Sequence, residues 1–290
     1  MKQMLAIALA TVVFGTGFSS DDAAYKAKIL EWRKAQEADL KKNDGWLSVA
    51  GLFWLSEGEN TIGHGDGARV KLPAVVGPDQ AGSFELAADH VTLVASANAI
   101  FESNGAPVST REMKPDSDRV TIGTVSLMVI RRGARVGVRM FDPLSEAHKQ
   151  FKGMKWMPVN PKYCIQAKFV PYDQPVTLQI TNVLGDTAPV PSPGYVTFTL
   201  EGQQCRLEAQ AQGSGLFFDF SDATSGKTTY PAGRFLDAPG PVNGTVTLDF
   251  NQATNPPCAW TAYATCPLAP AANRLTVAIK AGELVHHPRE

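Results

Sequence analysis

Between residues 120 and 280 the chain is cut into short runs in which apolar and polar residues alternate, each closed by glycine, proline or a small polar cluster. The clearest occupies residues 120–141: VTIGTVSLMVI, a turn at Arg132-Gly133, then ARVGVRMF, the pattern of a hairpin. In its second arm Val136, Val138 and Met140 share one face. Arg135 and Arg139 share the other, as on a solvated sheet face or at an anion site. Further runs lie at residues 163–170, 176–183, 195–200, 204–209, 216–220, 246–251 and 274–280. Residues 46–55 (WLSVAGLFWL) are apolar on both alternating faces and read as a central, covered strand. Short strands at roughly ten-residue spacing predict a mainly β fold, an antiparallel sandwich or barrel.

One amphipathic helix is expected before the strands, over residues 21–45. Ser20 to Asp22 offer N-caps; Tyr25, Ile29 and Trp32 recur at helical spacing, Ala35 and Leu40 continue the stripe, and Asn43-Asp44-Gly45 stops it. The preceding residues have a short basic start at Lys2, an apolar run from Met4 to Phe14 and then small residues, the layout of a signal peptide over residues 1–20. A membrane span needs about 20 apolar residues, more than this run supplies. Gly17-Phe18-Ser19 is the nearest small-x-small match, which places the mature start between Phe18 and Asp22. The expectation is a periplasmic or secreted protein with no stable membrane insertion once the leader is removed. Residues 46–285 then form an all-β domain, with a sub-boundary near 142–161, and 286–290 a flexible tail. A net charge of −1 supplies no basic face for nucleic acid, which leaves a small molecule as the expected partner and the oligomeric state open.

Several motifs fail on inspection. Gly226-Lys227-Thr228 lacks the earlier glycine of a phosphate loop, and Pro231 blocks the helix that should follow. His64-Gly65-Asp66 reads as a polar turn tip; no HExxH or GxSxG is present. Neither a metal nor a cofactor is expected.

Cys258 and Cys266 stand eight positions apart in NPPCAWTAYATCPLAP, too far for a zinc knuckle or a redox Cys-x-x-Cys. In an oxidising compartment that spacing favours a disulfide closing the loop. Cys164 and Cys205 stay open. Around the loop, alternation puts Asp249 and Asn251 on one face, with Asn255 and Tyr263 following; Asp222, Tyr230 and Arg234 cluster upstream and Arg274 downstream. If the segment 234–236 lies antiparallel to 246–251, Arg234 reaches Asp249 or Asn251. Arginine, amide and phenol groups converging in a cleft suit a polar or anionic ligand. The alternative is that the same side chains brace irregular backbone.

The stretches GWLSVAGLFWLSEGENTIG, FSDATSGKTTYPAGRFL and DFNQATNPPCAWTAYATCPLAPAANRLTVAIKAGE resemble the bacterial and archaeal family catalogued as domain of unknown function 1684. The resemblance covers most of the chain after the leader. It implies a shared fold and shared cysteines at Cys258 and Cys266, and brings no activity with it.

These readings converge on an exported all-β protein binding a small polar or anionic ligand near the C-terminal loop, through Tyr230, Arg234, Asp249, Asn251, Asn255, Tyr263 and Arg274. A hydrolase is the first alternative, with Asp222 or Asp249 as base and Tyr230 and Arg234 stabilising charge. An envelope structural or interaction protein is the second.

Overall fold

The computed structural model describes residues 20–286. The expected leader, except Ser20, and the expected tail, except His286, lie outside the described residues. The fold is mainly β, with several antiparallel sheets behind one long helix, α1 (Ser20–Leu40), and no closed barrel among the described residues.

Eleven strands come first: β1 (Val49–Trp54), β2 (Gly58–Gly63), β3 (Val70–Lys71), β4 (Gly82–Ala87), β5 (His90–Ala95), β6 (Phe101–Ser103), β7 (Ala106–Val108), β8 (Thr110–Met113), β9 (Arg119–Ile122), β10 (Val125–Arg132) and β11 (Arg135–Phe141). One sheet has the order β1-β11-β10-β9-β6-β7 and a second β3-β2-β4-β5-β8. Ile62, Phe84 and Leu93 from the second meet Leu127 and Val138 from the first in a single unexposed core. Each such side chain contributes about 1.5–3 kcal/mol through burial.

Seven strands follow the short helix α2 (Glu146–Gln150): β12 (Cys164–Thr181), β13 (Thr187–Leu200), β14 (Gln203–Glu208), β15 (Gln210–Gln212), β16 (Gly215–Phe220), β17 (Arg234–Ala238) and β18 (Thr245–Asp249). They form a sheet of order β14-β13-β12-β18 and another of order β15-β16-β17. Val196, Leu207, Phe218, Leu248 and Phe250 build a second core, closed by Val277 and Ile279.

Three sequence expectations need correction. The first arm of the predicted hairpin splits at Gly123, whose φ of +56 sits in the left-handed region and turns β9 into β10. The run 46–55 gives a short 3-10 turn (Trp46–Ser48) and then β1, which lies at the end of its sheet rather than inside it. Its apolar character is explained by a loop, not a strand, covering it: the Thr261 hydroxyl donates to the Val49 carbonyl at 2.9 Å. Residues 274–280 bury Val277 and Ile279 in alternation, yet they join no ladder beyond a bridge between Ser221 and Arg274. Leu275 N–H donates to the Ser221 carbonyl and the Val277 carbonyl accepts from Ala223 N–H, while the groups of Ile279 are taken by side chains.

The packed face of α1 is also more polar than a simple apolar stripe. Ile29, Arg33 and Leu40 are buried and Tyr25 and Trp32 half-buried, whereas Ala35 is exposed. The helix docks on a polar surface, where Arg33 donates to the carbonyls of Met157 at 2.9 Å and Asn251 at 3.1 Å.

β12 and β13 extend as a long hairpin from the second core. Pro189 faces Gln179 and Pro191 faces Thr177 in its ladder. A proline has no N–H to give, so these positions must direct their nitrogens away from β12, leaving Ala188 and Val190 to carry the hydrogen bonds. The tip crosses to the first sheet, where Asp186 pairs with Arg135, and Val183 N–H donates to the Cys266 carbonyl at 2.9 Å.

Candidate functional site

Arg234 opens β17 directly after Gly233, which has a φ of +103 and room for no side chain against the Phe220 carbonyl. Its guanidinium reaches Asp222 at 2.7 Å, and neither side chain has any exposed surface. Arg234 also donates to the carbonyls of Ile279 (3.1 Å) and Ala281. The other oxygen of Asp222 accepts from the Thr224 N–H (2.8 Å), the Thr224 hydroxyl (2.6 Å) and the Ile279 N–H (3.3 Å). Burial pushes the Arg234 guanidinium down and Asp222 opposes the shift. The pair ties the 222–225 turn to the 279–281 segment, which is why the latter needs no strand partner.

The expected meeting of Arg234 with Asp249 or Asn251 does not occur. β17 pairs with β16, and β18 pairs with β12, so the two groups belong to different sheets. Asp249 instead accepts from the Tyr25 hydroxyl at 2.8 and 2.9 Å and caps its own 3-10 turn through the Asn251 N–H at 3.1 Å. Asn251, fully buried, donates to Tyr25 Oη (2.9 Å) and the Asn160 carbonyl (2.9 Å) and accepts from the Asn160 N–H (2.8 Å). Burial, reinforced by Asp249, lifts the Tyr25 hydroxyl above its ordinary range. Cys164 faces Asp249 across the ladder, and burial likewise pushes its thiol up. This cluster seats α1.

Asn255 has a different environment. Its N–H donates to Glu283 Oε2 at 2.7 Å and its amide nitrogen to the Leu284 carbonyl at 2.8 Å, but its Oδ1 is buried with no hydrogen-bond partner. Glu283 is wholly buried, its Oε1 is also unpartnered, and burial pushes its carboxyl up to about 8. It follows Gly282, whose φ is +84 and where a Cβ would sit 2.7 Å from the carbonyls of Ala253 and Phe250.

Asn255 lines a cleft of about 390 Å³ between the end of α1 and the C-terminal loop. Trp46, Phe235 and Trp260 give it aromatic walls, and Asp39 and Asp44 stand among its polar residues. Both indoles are fixed from behind. The Arg139 guanidinium lies 4.9 Å from the Trp46 ring, and Trp260 packs edge-on to Phe151 at 5.6 Å and against His286 at 4.7 Å. Asp39 is paired with Lys42 at 2.5 Å. A second cleft of about 250 Å³ is lined by Lys227, Thr229, Tyr230 and His286. Burial and the nearby thiols push the Tyr230 hydroxyl up to about 12. Tyr263 and Arg274 are exposed and line neither cleft.

The sequence pattern thus points to Asn255 and its loop but not to Trp46, Phe235 or the end of α1. Trp260 stands in the same cysteine-bounded segment, and its position between prolines and threonines, off any alternating run, is the signal that marks it.

All four cysteines are unbridged, so the expected Cys258–Cys266 disulfide takes the form of two adjacent thiols. The Cys258 N–H donates to Cys266 Sγ at 3.1 Å. Among the described residues no group of three or more His, Cys, Asp or Glu side chains is arranged to hold a metal ion.

No curated protein matches this chain. An uncharacterised protein of Haloarcula marismortui, known from a solution NMR structure, is 28% identical over an alignment covering 49% of this chain and 82% of that one, with a TM-score of 0.41. Residues 45–63, part of the resemblance seen in the sequence, fall outside the span matched by a family model. That model, described as a protein of unknown function (DUF1684), matches residues 149–284, the stretch that holds β12 to β18, the Arg234–Asp222 pair and the Asn255–Cys266 loop.

Proposed function

We propose that this chain is an exported protein that binds a small polar ligand in the cleft lined by Trp46, Trp260 and Asn255. The observation that carries the reading is the cleft itself, about 390 Å³, with walls of Trp46, Phe235 and Trp260 and polar residues such as Asn255 and Asp44 in its lining. Aromatic faces with a few placed polar groups are the usual composition of a small-molecule site. Asp39 and Asp44 are answered by Lys42, which lines the same cleft, and by Arg119, 3.9 Å from Asp44, so the cleft suits a neutral ligand: a ring with one apolar face and several donors, such as a saccharide. The hydrolase alternative is less supported, because two of its four candidates, Asp222 and Arg234, are enclosed and committed to each other and to backbone.

Titrating the purified protein with monosaccharides and with matched carboxylates, followed by tryptophan emission and calorimetry, tests the ligand class. Saccharide binding that falls more than tenfold in Trp260→Ala, with Lys227→Ala in the second cleft unaffected, is the expected result. Carboxylates binding in preference to saccharides, or binding indifferent to Trp260, would refute it. Export is tested separately by sequencing the N-terminus of protein from the envelope fraction; an intact Met1 there would refute it.

A further inference from the structure

The loop that carries Trp260 into the cleft is bounded by Cys258 and Cys266, and the surroundings of these thiols are unlike those of a permanent staple. Cys266 is 4% exposed and Cys258 half-buried. The two are adjacent, with the Cys258 N–H 3.1 Å from Cys266 Sγ, and on β11 Arg139 is also 4% exposed, its Nε and Nη2 without a hydrogen-bond partner and its charge acting on Cys266. Arg139 belongs to the arginine row of the first sheet, whose face is covered here by the C-terminal loop: Arg132 Nε donates to Thr265 Oγ1 at 2.9 Å. A buried guanidinium with unused donors stabilises a thiolate and does nothing for a disulfide. Such a site favours the reduced pair and makes the oxidised bond easy to reopen.

We propose that Cys258 and Cys266 are a reversible thiol–disulfide couple, with Cys258 attacking and Cys266 resolving, that sets the position of Trp260 in the cleft. The couple stands on the thiols and Arg139; only its consequence for ligand rests on the cleft reading above. The polarity follows from exposure and from the donors. Cys258 is the less buried residue of the two. Its thiol is held down chiefly by the hydrogen bond from the Cys266 thiol, with backbone N–H groups and the Tyr230 hydroxyl adding to it against burial. The same contact and burial push Cys266 up.

The co-reactant is a low-molecular-weight disulfide, RSSR. The Cys258 thiolate attacks one sulfur, the R–S–S–R bond breaks, and the departing RS⁻ takes up a proton from solvent in place of the one Cys258 released. Cys266 then loses its proton and attacks the Cys258 sulfur; the mixed disulfide breaks and a second RS⁻ leaves and is protonated. Two protein thiols are oxidised and one external disulfide is reduced to two thiols. The new bond sets the spacing of residues 258 and 266, the ends of the segment that carries Trp260, whose ring packs against Phe151 and His286.

The test uses the full chain and glutathione disulfide. In the wild type, peptide mapping should recover the 258–266 link, reversible in glutathione redox buffers, and Cys266→Ser should accumulate glutathione on Cys258. Cys258→Ser should trap it on Cys266 at least tenfold more slowly. A wild-type link that native protein never gives up to reduced glutathione means a fixed staple and overturns the proposal, as does equal trapping at the two positions. Trp260 emission, identified by its loss in Trp260→Phe, should differ between the two redox forms; identical emission overturns the coupling. Saccharide binding absent from both forms overturns the cleft reading while leaving the couple intact.

Discussion

The Tyr25 hydroxyl, on the N-terminal helix, donates to both carboxylate oxygens of Asp249, 224 positions further along the chain, at 2.8 and 2.9 Å. Asn251 closes the arrangement from the other side by donating to the same hydroxyl at 2.9 Å. The most suggestive acidic residue of the C-terminal half is therefore an anchor for α1. Tyr25→Phe removes the donor and leaves the half-buried carboxylate short of a partner, a loss of about 1–3 kcal/mol. Hydrogen exchange should show α1 amides losing protection while those of β12 and β18 keep theirs; uniform loss, or none, would contradict the anchoring role.

Arg234→Ala strands Asp222 in a site with no water access. Breaking a buried pair from one side costs about 3–5 kcal/mol, and urea unfolding should report a loss of that order. The double variant Arg234→Ala, Asp222→Ala should be less destabilised than the sum of the single changes, because neither then leaves an unpaired charge. Ligand affinity in the folded fraction should stay unchanged. A variant of wild-type stability that fails to bind ligand would reverse the assignment and make Arg234 a binding residue.

Two buried acids make stability depend on pH in an unusual direction. Burial raises Glu283 from an ordinary 4.5 to about 8 and Asp219 from 3.8 to about 7. Asp219 has one oxygen held by Gln210 at 2.8 Å and the other without a partner. Between each pair of values the folded chain holds a proton that the unfolded chain has released, so stability falls as pH rises through that window. Below about pH 4 both states are protonated and this contribution is complete; above about pH 8 it is gone. Melting temperature should decline from pH 5 to 8, and Glu283→Gln, which keeps an acceptor for the Asn255 N–H, should flatten the decline. A profile rising across that range in both proteins would contradict the assignment.

Closing the 258–266 loop is worth roughly 2–3 kcal/mol by chain entropy, and a fold that favours the reduced pair subtracts from it, so oxidation should raise stability by less than that amount. Calorimetry on the oxidised and reduced forms measures it directly. The full entropic gain would mean a fixed staple and contradict the reversible couple.

The strands were legible where alternation and glycine coincided. β10 and β11 follow from Val136, Val138 and Met140 facing Arg135 and Arg139, and their turn from Gly133. Residues 46–55 and 274–280 were harder, because an apolar or alternating run records which side chains are covered and not what covers them. A loop through Thr261 bonds to the first, and in the second Leu275 and Val277 bond to backbone of residues 221 and 223 while the Arg234–Asp222 pair holds Ile279. At the site, Asn255 and the cysteines were readable from composition. Trp46 was not, since an indole beside a cleft and one in a core have the same neighbours in sequence. Nor was the role of Asp249, whose partner Tyr25 lies on a helix that no local pattern connects to it.

The prolines of the β12–β13 hairpin bear on how this protein behaves in company. Among the named strands none pairs with the far side of residues 187–192, so that side is an open sheet margin. Pro189 and Pro191 put rings where outward amides would stand, which denies an approaching chain the donors it needs to extend the sheet. Replacing both with threonine would keep every bond to β12 and turn a margin that repels other chains into one that recruits them. Those two residues guard an open margin against edge-to-edge pairing, a role that concerns the meeting of chains and not the folding of one.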